Sequence, residues 1–109
     1  MPISNIDPIN AMTGYTQKTT YWADFSIAER FGQKAIQDTF DVALAQFGMN
    51  IEYMTELALT MNHKTAVLFE SDRELASLYN NLWLLIDNYI FENFQDNNEA
   101  LSYYLETTD

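Results

Sequence analysis

The 109-residue chain carries 16 acidic against five basic side chains, for a formal net charge of −11, and has no cysteine. The missing thiols exclude a disulfide framework, a thiolate metal site and a cysteine nucleophile, and fit a reducing compartment. The surplus of acid makes anionic lipid and nucleic acid poor partners, because binding them adds repulsion where cationic side chains should release counterions.

Length allows one domain with a single modest core. The chain is 48% hydrophobic, with seven Phe, seven Tyr and two Trp, enough apolar surface to fold. It holds three Gly and two Pro, both Pro among the first eight residues, which favours long helices over a turn-rich β fold. The opening MPISNIDPINAMTG lacks the basic and apolar regions of a signal peptide. The longest apolar run, Leu82 to Ile86, falls far short of the roughly 20 residues that span a bilayer. The expected location is the cytoplasm.

Residues 1–20 read as an irregular arm, punctuated by Pro2, Pro8 and Gly14, with Ile3, Ile6, Ile9 and Met12 recurring every three residues. Tyr21, Trp22 and Phe25 form an aromatic cluster before Ser26-Ile27-Ala28-Glu29, a capping-box pattern that opens a short helix. Phe31-Gly32 ends or kinks it. The spacing then predicts a helix over Gln33 to Phe47, with Ile36, Phe40, Ala43, Leu44 and Phe47 inward and Gly48 as the stop.

Asn50 caps a helix expected over Ile51 to Glu70, with Ile51, Met54, Leu57, Ala58, Met61, Thr65, Leu68 and Phe69 on its inner side. The weak helix-forming run Asn62-His63-Lys64-Thr65 marks a possible break. Ser71 and Glu74 form a second capping box. It opens the longest helix, expected to run to Phe94. There Leu75, Leu78, Tyr79, Leu82, Trp83, Leu85, Ile86, Tyr89 and Ile90 span an arc of roughly 160°. Leu84 and Phe91 stand out, facing away from that arc beside Asn80, Asp87 and Asn88. Gln95 to Asn98 reads as a loop, Asn98 as the cap of a last short helix with Ala100, Leu101, Tyr104 and Leu105 inward, and Thr107-Thr108-Asp109 as a tail. The expected fold is all-α, a small antiparallel bundle of three main helices with short helices at each end, as one domain over residues 21–109.

Chemistry-bearing patterns are few. Glu52, Glu56, Thr60 and His63 share one helix side, yet neither a paired Glu-x-x-His set nor His-Glu-x-x-His is present. With one His and no Cys, only carboxylate-dominated Mg²⁺ or Ca²⁺ sites remain; a solvated helix face is the simpler reading. No Gly-x-Ser-x-Gly elbow or Gly-rich phosphate loop occurs. The aromatic residues lack the basic groove of a single-strand platform, so core packing suits them better. Neither a catalytic set, a metal nor a cofactor is expected.

The segments YWADFSIAERFG (21–32), TEL (55–57) with NHK (62–64), LYNNLW (78–83), Asp87, Tyr89 and YYLETTD (103–109) resemble a family of small, acidic, uncharacterised proteins from Firmicutes and their phages or other mobile elements. The likeness covers about residues 20–109. It implies a genomic setting and no catalytic residues.

All five basic residues, Lys18, Arg30, Lys34, Lys64 and Arg73, precede Glu74, after which Glu74, Asp87, Glu92, Asp96, Glu99, Glu106 and Asp109 follow with no base. The expectation is a non-enzymatic acidic module that binds a protein with a basic surface through Leu84, Asp87, Phe91, Glu92, Asp96 and Glu99. In a phage setting its target would be a host nucleic-acid-binding protein, in the manner of DNA mimics or anti-CRISPR proteins. Leu84 and Phe91 are expected to be covered either by the arm, folding back with Ile3, Ile6 and Ile9, or by a second copy through a two-fold interface, the homodimer being the favoured of the two. The alternative is a small metal-dependent hydrolase using Glu52, Glu56, His63 and Asp87.

Overall fold

The computed structural model describes residues 23–108, so the expected arm, Tyr21, Trp22 and Asp109 lie outside the described residues. Within that span the chain is all-α, with five helices and no strand: α1 (Phe25–Glu29), α2 (Gln33–Phe47), α3 (Ile51–Leu68), α4 (Arg73–Asn93) and α5 (Asn98–Thr108).

Short polar side chains set four of the five starts. Asp24, Asn50, Asp72 and Asn97 accept from the backbone N–H of Ile27, Tyr53, Leu75 and Ala100 at 3.0–3.1 Å, supplying donors at helix N-termini with an acceptor. The cap at Asn50 is as expected. The other three lie upstream or downstream of the expected residues: Asp24 replaces Ser26, Asp72 replaces Ser71, and Asn97 replaces Asn98. At Asp24 and Asp72 the cap is a carboxylate, a charged acceptor at the positive end of the helix dipole, in place of a nearby hydroxyl, whereas Asn97 and Asn98 offer the same amide one residue apart. Asp72 also donates its own N–H to the Leu68 carbonyl at 2.9 Å, closing α3 while opening α4.

α2 has the expected bounds. Its entry residue Gly32 has φ +106°, a conformation that disfavours any residue with a Cβ. At its exit Gly48 serves close approach instead, since a Cβ there would press on the Tyr89 hydroxyl and lie 2.6 Å from the Leu44 carbonyl. α3 runs unbroken through Asn62–Thr65 and stops at Leu68, two residues before the expected end. Its threonines fit because each hydroxyl bonds back one turn: Thr55 to Ile51, Thr60 to Glu56 and Thr65 to Met61 carbonyls, at 2.7–2.9 Å. The expected C-terminal tail is helical to Thr108, whose hydroxyl donates to the Tyr104 carbonyl at 2.7 Å.

α3 and α4 form the principal pair, and they run antiparallel: Lys64, late in α3, lies over the ring of Tyr79, early in α4, whereas Tyr89, late in α4, reaches Met49 just before α3. Between them Met54, Leu57, Ala58 and Met61 meet the stripe of Tyr79, Leu82, Ile86 and Ile90, all essentially inaccessible to solvent. α5 adds Ala100 and Tyr104 to this core, and α2 adds Ile36, Phe40 and Ala43. The body is broad and thin, 39 × 37 × 21 Å.

Three inward assignments fail. Leu85, Phe69 and Leu105 are each about half exposed. The fully buried residues of α4, Ala76, Tyr79, Leu82, Ile86 and Ile90, occupy an arc of about 120°, and Leu85 falls outside it. Phe69 lies beyond the end of α3, where the Arg73 guanidinium covers its ring at 4.2 Å. Leu105 is a quarter-turn away from Tyr104 and off the buried side of α5. Leu82→Ala should therefore cost about 2–5 kcal/mol while Leu85→Ala stays within about 0.5 kcal/mol. Urea unfolding of the two variants checks this, and equal losses would mean that α4 is rotated from the orientation described.

Candidate functional site

Three of the eleven large hydrophobic side chains exposed among the described residues lie together on the outer side of α4, the others being spread over α1, α2, α3, α5 and the connections. Leu84 is 47% exposed and Phe91 39%, with Leu85 at 53% joining them; Leu85 had no local signal to separate it from the core stripe. The outer side of α4 thus mixes three large hydrophobes with the exposed polar residues Ser77, Asn81, Asn88 and Asn93. Glu92, Asp96 and Glu99, on the last turn of α4, the connection and the first turn of α5, are all exposed.

Asp87 has a different place from the other expected contact residues. It is half-buried and accepts from the Tyr104 hydroxyl at 2.7 Å. Burial, and after it the hydrogen bond and charge of Asp87, hold the Tyr104 proton more tightly than in an ordinary tyrosine, against a smaller opposing hydrogen bond with Trp83. The Phe91 ring meets the Tyr104 ring edge-on, centroids 6.0 Å apart. Leu84, Phe91 and Glu92 thus form the open part of the face, while Asp87 anchors α5 to α4.

A second polar cluster joins three helices and has no sequence signature. Glu29 Oε2 receives the Tyr79 hydroxyl at 2.5 Å and the Lys64 ammonium at 2.9 Å. Lys64 Nζ lies 5.5 Å from the Tyr79 ring centroid, and Phe25 meets that ring edge-on at 6.2 Å. Burial raises the Tyr79 pKa, and the hydrogen bond and charge of Glu29 raise it further. The phenol keeps its proton near neutrality and serves as a donor that clamps α1. Glu29 reads locally as a capping residue, and partners 35 and 50 residues away leave no trace in local spacing.

Beside this clamp an open cleft of about 300 Å³ is lined by Ala23, Asp24, Phe25, Ser26, Thr60 and Lys64. Its polar groups are largely committed: Lys64 to Glu29, Thr60 to the Glu56 carbonyl, and Asp24 to the start of α1.

Glu52, Glu56 and His63 project into solvent from α3. Among the described residues no three His, Asp or Glu side chains gather as a metal-ligand set, so Asp87 does not complete a site with them. The aromatic residues mostly pack: Tyr53 stacks on Phe47 at 4.3 Å, Tyr79 and Tyr104 are buried, and Trp83 and Tyr89 border the core. Among the described residues no helix is long and apolar enough to cross a membrane. Comparison with protein-family models, with curated proteins and with solved structures finds no match.

The buried phenols of Tyr79 and Tyr104 make the fold sensitive to alkali. Each holds its proton in the folded state above the ordinary tyrosine pKa of about 10. Their stabilisation is full below that pH and is lost as pH rises beyond it, because the unfolded chain ionises first. The loss should approach about 1.4 kcal/mol per pH unit for each phenol. Denaturant titrations between neutrality and strong alkali should show a shallower decline for Tyr79→Phe than for the parent; superimposable slopes would contradict the assignment.

Proposed function

We propose that the chain is a non-enzymatic binding protein that docks a basic surface of another protein through the outer face of α4 and the acidic connection to α5. The observation that carries this reading is the exposure of Leu84, Leu85 and Phe91 beside acids that, from Glu74 onward, have no cation among them. An apolar centre with a charged rim is the usual anatomy of a protein interface. Exposed apolar side chains on a helix so fully used on its other side favour a partner over chance.

The scaffold for that face is a small antiparallel bundle of α2, α3 and α4, working in the cytoplasm. In the phage or mobile-element setting that the resemblance implies, the target is a host nucleic-acid-binding protein whose basic groove the acids occupy in place of phosphates. The metal-dependent hydrolase finds less support, because Glu52, Glu56 and His63 are exposed on α3 without gathering as a metal-ligand set among the described residues, and Asp87 is engaged by Tyr104.

Immobilised protein should capture basic proteins from host lysate in a salt-sensitive manner. The triple variant Glu92→Lys, Asp96→Lys, Glu99→Lys should lose capture by about tenfold, taking about 0.5 kcal/mol for each exposed charge pair. Equal capture by both forms, or none by either, would count against the reading.

A further inference from the structure

We infer that the outer face of α4 pairs with a cationic amphipathic helix of its partner along a short heptad seam. This rests on the docking function proposed above and specifies the partner's chemistry. Asn81, Leu84, Asn88 and Phe91 follow one another at intervals of three, four and three residues, the a-d-a-d spacing of a coiled-coil seam. All four are exposed, on the side of α4 opposite Tyr79, Leu82, Ile86 and Ile90. An α-helix drifts only about 20° per heptad from this repeat, so the four side chains form one straight strip. The strip covers about 15 Å, or three turns.

Its chemistry selects the occupant. Leu84 and Phe91 at the d positions supply the apolar knobs. Asn81 and Asn88 at the a positions lower affinity but fix register, since a polar side chain there must meet a polar partner. Residues at e and g decide which helix pairs. Here the charged ones are both acidic: Glu92, which is exposed, and Asp87, which is half-buried with Oδ1 already accepting from the Tyr104 hydroxyl. A second copy would bring the same acids toward one another in a chain of net charge −11. A helix with Lys or Arg at its own e and g positions turns that repulsion into attraction. Two apolar knobs make a weak grip alone, so complementary charge determines whether the pair forms.

The probe is a labelled three-heptad helical peptide with Asn at a, Leu at d and Lys at e and g, compared with its counterpart bearing Glu at e and g. Fluorescence anisotropy should show binding of the Lys peptide and none of the Glu peptide. Leu84→Asp should weaken binding by about tenfold or more, although its added acid would strengthen any attraction that depends on charge alone. Because Phe91 touches Tyr104, Phe91→Asp is scored only alongside its melting curve, and Leu84→Asp is decisive. The inference is overturned if Leu84→Asp binds the Lys peptide as tightly as the parent, if the parent does not bind it, or if sedimentation shows a dimer that Leu84→Asp disperses. The triple Lys variant reports separately on the acidic surface. If its lysate capture falls while Leu84→Asp keeps the peptide, the seam fails and the acidic docking surface stands.

Discussion

The dry contact between α3 and α4 is the constraint on which the other elements depend. Met54, Leu57, Ala58 and Met61 against Tyr79, Leu82, Ile86 and Ile90 remove eight side chains from water, and a large aliphatic side chain contributes roughly 1.5–3 kcal/mol when fully buried. No single polar interaction among the described residues approaches that sum. The exposed Lys34–Asp38 pair is worth at most about 1 kcal/mol, and even the sheltered Lys64–Glu29 pair is secondary to the apolar seam. Two short elements are then fastened to this pair by the same device. A tyrosine buries its ring in the core and extends its hydroxyl to a carboxylate at the rim: Tyr79 of α4 to Glu29 of α1, and Tyr104 of α5 to Asp87 of α4. A five-residue helix such as α1 has too few internal hydrogen bonds to persist alone, so the clamp on Glu29 has a clear structural purpose.

Much of this was legible in the chain. The inward set of α2, its bounds, the Asn50 cap and most core residues of α3 and α4 follow from helical periodicity, which reports directly on a buried face, although buried Tyr53, Thr55 and Ala76 fall outside the expected inward sets. What was lost falls into two kinds. Neighbouring capping residues compete, and a one- or two-residue ambiguity such as Ser71 against Asp72 is settled by geometry that a pattern does not encode. Long-range polar partners form the second kind. Glu29 fits a capping box as well as it fits a clamp, and only the packing of α1 beside α3 and α4 decides between them. Leu85 was misplaced for a related reason: periodicity gives the direction of the apolar stripe, while its width depends on how many helices cover it. For the candidate face, Leu84 and Phe91 were recognisable as residues facing the wrong way, whereas the engagement of Asp87 by Tyr104 was not.

α4 therefore has two faces with different purposes. Its inner stripe is continuous and apolar, as a core requires. Its outer strip alternates Asn with Leu or Phe and is bordered by acids, a composition too polar for a core and too apolar for a solvated surface. In the proposed reading, the acids after Glu74 bias that strip away from nucleic acid, lipid and its own copies, and toward cationic protein. The clamps at Glu29 and Asp87 fasten the short helices α1 and α5 to the α3–α4 pair.

The most direct test of this two-faced helix is a backbone amide NMR titration of the protein with the Lys-flanked helical peptide. The account predicts shifts concentrated at Asn81, Leu84, Leu85, Asn88, Phe91 and Glu92, with Glu52, Glu56 and the buried stripe of α4 unmoved. Shifts spread evenly over the acidic residues of α2, α3 and α5 would show attraction by net charge alone and contradict it.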